Sequence, residues 1–257
     1  MGYSFLIEDM EWSYSRITSF ADCHYGWFLK YLNDYPSVKN FYSEYGSFMH
    51  LILQKYFRWE LKESDLPSYY LCNFASNVTM RPQKPSTYIG YFKDGLDYLS
   101  GLKWRETKIL GVEREVHYKI GDKPARGFID LEESDGGIIV TDHKSAKLKP
   151  RSNRKKPTVN DVHIDEMFRQ LYLYSLPIKD EYGEYPRLLR FNTFRTGGFI
   201  EESFDLDTLH RTEDWATAEI EKITHNEDWS ANDDFFRCKF LCDQRYNCEY
   251  YEANYGR

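Results

Sequence analysis

The sequence predicts an α/β fold: a mixed sheet of about five strands flanked by helices, with an added helical layer at the N-terminus. Three observations predict it. Apolar residues at helical spacing fill the region before Lys108, strand-like runs crowd between Lys108 and Lys144, and helix and strand patterns alternate afterwards. Ile138-Ile139-Val140 is a continuous apolar run, which reads as a strand buried on both faces. Asp135-Gly136-Gly137 and Gly197-Gly198 supply turn residues between paired runs.

The elements follow in order. Ser13 or Ser15 can cap a helix reaching about Tyr31, with Ile17, Phe20, Trp27 and Phe28 among its apolar residues. Pro36 ends that region, and a second helix from about Ser43 to Trp59 carries His50, Leu53 and Phe57. Arg81 to Ser86 holds two prolines and reads as a loop. A third helix then bears Tyr88, Tyr91, Phe92 and Leu99. Strands are expected at Lys108–Ile120, Ala125–Glu132 and Gly137–Lys144. A helix from about Asn160 to Leu176 bears Gln170 and Tyr174. Arg187–Arg195 and Phe199–Phe204 form a hairpin, and a helix from about Asp207 to His225 precedes a cysteine-bearing terminus. These boundaries divide the chain into a helical layer over 1–105, a core over 106–230 and a cysteine segment over 231–257, packed as one unit.

Composition bounds the function. With 41% apolar residues in 257, the chain can bury a core, and no run approaches the ~18 apolar residues of a membrane span. The 22 tyrosines and 17 phenylalanines are mostly core, stacking on unpaired bases being the functional use of any remainder. A net charge of −7 argues against a surface that binds nucleic acid throughout. Locally the sign reverses: Lys144 to Lys156 reads KSAKLKPRSNRKK, with seven basic residues and no acidic one. Lys147, Lys149 and Arg151 are placed to draw a polyanion toward Lys144, while the distal half reads equally as a solvated loop.

The stretch GFIDLEESDGGIIVTDHK, Gly127 to Lys144, concentrates the chemistry. Asp130 ends one apolar run and Asp142 the next. Lys144 follows on the same strand face as Asp142, because strand side chains repeat every second residue. A D-x-K alone is usually a solvated ion pair. At the end of a doubly buried strand, however, a charge is costly unless it is paired or metal-bound. Two carboxylates and a lysine at one hairpin edge suit a hard divalent cation beside an attacked group.

The ordered set Gly46-Ser47-Phe48-Met49-His50, Gly127-Phe128-Ile129-Asp130, Asp142-His143-Lys144 and Gln170-Leu171-Tyr172-Leu173-Tyr174 resembles the PD-(D/E)xK nuclease superfamily. The closest resemblance is to its branch of RecB-like and CRISPR-associated exonucleases. Ser13-Tyr14-Ser15-Arg16-Ile17, followed by Cys23, also resembles the opening of that branch. The resemblance implies a restriction-endonuclease-like core. It implies Mg²⁺ or Mn²⁺ held by Asp130, Asp142, His50 and the backbone carbonyl of His143. Lys144 would orient the attacking water and stabilise the transition state, Gln170 would position the Lys144 region or a phosphate, and Tyr174 would contact the strand. Glu113 is a further acidic candidate, with Glu115 competing because it shares its face.

Five cysteines, odd in number and widely scattered, argue for a reducing, cytoplasmic compartment rather than a disulfide framework. Cys238, Cys242 and Cys248 form C-x3-C-x5-C, and soft thiolates so close together usually hold a metal. The resemblance supplies Cys23 as the fourth ligand of a [4Fe-4S] cluster with a structural role. The late spacing has one residue more than the branch's usual C-x2-C-x5-C, so Zn²⁺ stands as the alternative. Cys72 reads as an incidental thiol.

The expected activity is metal-dependent hydrolysis of DNA, by an exonuclease on single-stranded ends in recombination, phage DNA metabolism or CRISPR adaptation. Alternatives are a structure-specific endonuclease of the same fold, or a catalytically silent nucleic-acid-binding protein with a structural metal cluster. A helicase, recombinase or CRISPR integrase is the protein partner that the resemblance implies.

Overall fold

The computed structural model describes residues 3–104 and 107–256. Helices α1 (Ser4–Glu8), α2 (Tyr14–Asp22), α3 (His24–Tyr31), α4 (Phe41–Phe57), α5 (Leu66–Asn77) and α6 (Pro85–Gly101) precede the sheet. Strands β1 (Lys108–Ile120), β2 (Lys123–Ser134) and β3 (Ile138–Lys144) come next. Helix α7 (Val159–Tyr182), strands β4 (Leu188–Thr193) and β5 (Phe199–Ser203), and helices α8 (Leu206–Thr224) and α9 (Glu249–Tyr255) complete the order.

The five strands form one mixed sheet in the order β1-β2-β3-β4-β5. Its pairs are antiparallel except β3 with β4. A parallel pair needs a long crossover, and α7 supplies it. Helices α7, α8, α2 and α3 cover one face, burying Ile129, Val140, Phe168, Leu171 and Phe191. Helices α4, α5 and α6 cover the other, around Phe48, Ile52, Leu53 and Tyr70 together with Leu131 and Phe194. Ile138 and Val140 belong to the α7 side. The period of two therefore sends Asp142 and Lys144 to that side and His143 to the α4 side. His143 packs there beside Phe57 and Phe194.

Several helices differ from the sequence expectation, α1 and α9 being absent from it altogether. The single helix expected up to Tyr31 is broken at Cys23, whose backbone is extended and whose Sγ accepts the Gly26 N–H at 3.2 Å, starting a new helix. Helix α5 was not expected; Pro67 opens it, and Leu66, Tyr70 and Phe74 repeat along its buried side. Helix α7 runs on past Leu176 through Pro177 and ends only at Gly183, which takes a left-handed conformation at φ 76°.

Candidate active site

Sheet register puts the carboxylates in a row. Leu131 pairs with Val112 of β1 on one side and Thr141 of β3 on the other. One step along, Asp130 lies between Glu113 and Asp142. Glu113 holds a left-handed backbone at φ 50°, which is strained for a residue with a side chain. Helix α4 brings His50 to the same place. Its Nδ1 lies 3.4 Å from Glu113 Oε1 and 3.6 Å from Asp130 Oδ1. Its Nε2 lies 3.0 Å from the carbonyl oxygen of His143. Asp130 Oδ2 accepts the His143 N–H at 2.6 Å. Ligand atoms of His50, Glu113 and Asp130 all fall within 4.8 Å of one another.

The electrostatics follow from this crowding. Burial, and then the charge of Asp142, push the Asp130 carboxyl up to about 7 against the pull of His50. Burial works against charge on His50, but Asp130, Glu113 and Asp142 outweigh it and raise the imidazole to about 9. Burial, followed by the charges of His50 and Lys144, lowers the His143 ring well below the usual histidine range. Asp142 Oδ2 is buried without a hydrogen-bond partner. The Lys144 ammonium lies 2.9 Å from it, an ionic contact without hydrogen-bond geometry. A buried carboxylate oxygen without a hydrogen bond, three carboxylates in a row, an imidazole and a backbone carbonyl fit a hard divalent cation.

Lys144 is anchored from α7. Its Nζ donates to Gln170 Oε1 at 3.0 Å, and Gln170 Nε2 donates to the Tyr174 hydroxyl at 3.0 Å. All of these groups except Glu113 open on a cleft of about 480 Å³. A second cleft of about 470 Å³, between α6 and the β4–β5 turn, does not reach the carboxylates.

Several expected residues stand elsewhere. Glu113, not Glu115, joins His50; Glu115 instead faces Arg126 at 3.8 Å and His117 at 3.9 Å. Tyr174 is only 5% exposed, lines the cleft and holds Gln170 through its hydroxyl. Arg151 pairs with Asp165 and Glu202. Lys147 and Lys149 are both exposed, and Lys147 lies 3.4 Å from Asp94. Two cleft residues had no role in the sequence reading. Arg16, stacked 4.6 Å over Tyr31, and Arg126 bring positive charge to the cleft. No spacing marked either one, although Arg16 sits inside Ser13–Ile17 and Arg126 directly precedes Gly127.

The cysteines are all free. Cys23 Sγ accepts backbone N–H groups from Gly26 at 3.2 Å and Asn232 at 3.3 Å. Cys242 and Cys248 each accept one at 3.4 Å, from Gln244 and Tyr251. Burial pushes Cys238, Cys242 and Cys248 upward, against the backbone N–H bonds onto Cys242 and Cys248. Among the described residues no three of these sulfurs lie within 4.8 Å of one another. Tetrahedral zinc at about 2.3 Å from each sulfur would need them about 3.8 Å apart.

A family model described as the PD-(D/E)XK nuclease superfamily matches residues 11–251. No protein of curated function matches the sequence. Among solved structures, the chain is similar to a candidate exonuclease from Eubacterium rectale. The two share 12% identity at a TM-score of 0.51, over 98% of this chain and 90% of that one. A second structure, SSO0001, is 19% identical over 73% of this chain and 80% of its own, and its TM-score of 0.29 is too low to bear on the fold.

Proposed function

The chain belongs to the PD-(D/E)XK nuclease superfamily, and from that premise we propose that it is a Mg²⁺- or Mn²⁺-dependent exonuclease acting on single-stranded DNA ends. The observation that carries the reading is the meeting of His50, Glu113 and Asp130 at the edge of the cleft that Asp142 and Lys144 line. Glu113, Asp130 and Asp142, with His50 or the His143 carbonyl, would hold the cation. A divalent cation bound there lowers the pKa of a water ligand and offsets charge on the phosphate. Lys144, kept in place by Gln170, directs its ammonium at the same spot and stabilises charge that develops on the phosphoryl oxygens. Arg16 and Arg126 line the cleft, and the exposed Lys147 and Lys149 add positive groups to meet the rest of the backbone.

Cys23, Cys238, Cys242 and Cys248 are read as ligands of a structural iron–sulfur cluster. The N–H bonds onto three of the sulfurs suit thiolate ligands, and Zn²⁺ remains the alternative.

The test is digestion of end-labelled single- and double-stranded DNA with Mg²⁺, Mn²⁺ or EDTA. Asp142→Ala and Lys144→Ala should each lower the rate by about 10²-fold or more, and EDTA should abolish it. A product ladder shortening from one end is expected; internal fragments would favour an endonuclease. Cleavage that survives both substitutions would remove the site from the reaction.

A further inference from the structure

Trp59, just past the end of α4, is 84% exposed. Its backbone is left-handed, at φ 62°. The turn closes the helix by two bonds: Trp59 N–H to Tyr56 O at 3.0 Å and Glu60 N–H to Lys55 O at 2.8 Å. Lys55 Nζ and Glu60 Oε2, 2.9 Å apart, brace it. This closure ordinarily takes glycine where Trp59 stands, because a side chain strains a left-handed backbone. A bulky residue there is an outlier. Trp59 also gains almost no burial in return, so it runs against both the backbone preference and the hydrophobic effect. The fold has no use for it, and strain of this kind points to function.

Its position suggests which function. Helix α4 also carries His50, nine residues earlier and about 13 Å away along the axis. Arg58 Nη2 donates to Val112 O at 3.1 Å, pinning this end of α4 to the residue before Glu113. We propose that Trp59 is a stacking platform for an unpaired base of a single-stranded substrate, a few nucleotides from the phosphate held at the carboxylates. An exposed indole face takes any base, but only one that is free of a partner strand. The inference rests on the nuclease reading and adds to it the basis for preferring single strands.

The test compares binding of a fluorescent oligothymidine strand and of a blunt hairpin duplex. An Asp142→Asn background keeps the strand intact, and Trp59→Gly and Trp59→Phe are added to it. Trp59→Gly should weaken single-strand binding about tenfold, equal to about 1.4 kcal/mol and within the range for one base stack. Trp59→Phe should stay within about threefold, duplex binding should not change, and Tm with glycine should hold or rise. Unchanged single-strand affinity in Trp59→Gly overturns the proposal. So does an equal loss on duplex, or a Tm that falls by several degrees, which would make the indole structural. Cleavage of the same strand by the wild type is followed in parallel. If it cleaves while Trp59→Gly binds normally, only this inference fails; if the protein neither binds nor cleaves, the nuclease reading falls as well.

Discussion

Tyr174 lays its ring where a side chain on Gly127 would stand: a Cβ there would collide with Tyr174 Cε1. This contact joins two stretches that are far apart in sequence, and from it a line of hydrogen bonds runs through Gln170 to Lys144. Gly127→Ala should therefore shift the ring and loosen the lysine. We expect a loss of about 1–3 kcal/mol in urea unfolding together with a fall in cleavage rate. Tyr174→Phe keeps the ring but removes the hydroxyl, so it should leave stability nearly intact and lower the rate alone. An unfolding midpoint that does not move in Gly127→Ala would refute the contact. Residues at this scale were legible in the sequence where spacing encodes a face, as Asp142 and Lys144 do. Arg16 and Arg126 were not, because their part in the cleft depends on contacts across elements that no spacing reveals.

Strands were easier to read than helices, for a physical reason. The period of two and the turn glycines fix a hairpin locally, so β1 was placed to the residue and β2 and β3 within about two. The break between α2 and α3 was hidden because cysteine is not among the favoured N-cap residues. The aromatic-rich α5 has only modest helix propensity, and tertiary burial of Tyr70 and Phe74 decides it. Cys23 ties the helical layer to the terminal segment through the Asn232 N–H, which its Sγ accepts at 3.3 Å. The terminal segment already bonds to the residues after α3, with Val38 N–H to Asp243 O at 2.8 Å and Arg245 Nη2 to Lys39 O at 3.0 Å. Two substitutions separate capping from metal binding. Cys23→Ser keeps a good cap, whereas Cys23→Ala loses about 1 kcal/mol of it. If Cys23 ligates iron, both variants purified without oxygen should lose iron and brown colour alike. If it only caps, Cys23→Ser should match the wild type in colour and Tm, and the cluster assignment fails.

For the molecule as a whole, the carboxylate row makes stability depend on pH and on metal together. Asp130 moves from 3.8 up to about 7, and His50 from 6.5 up to about 9. In both cases the native state holds its proton more tightly than the unfolded chain, so stability must fall as pH rises across that window. The His50 contribution is fully present below 6.5 and is lost as pH passes about 9. The Asp130 penalty is absent below 3.8 and complete above about 7. A divalent cation reverses the sign, because it requires the deprotonated ligands and binds only the native state. In EDTA, Tm should therefore decline from pH 5 to pH 9, and the gain in Tm on adding Mn²⁺ should widen over the same range. Asp130→Asn removes one of the crowded charges; it should flatten the EDTA curve and raise Tm at high pH while abolishing cleavage. Differential scanning fluorimetry across pH measures all three. A Tm in EDTA that rises toward pH 9, or a manganese gain independent of pH, would show that these groups do not titrate as a metal-free ligand set. A protein that is least stable where it is active, until its cation arrives, is what a site built for charge neutralisation should give.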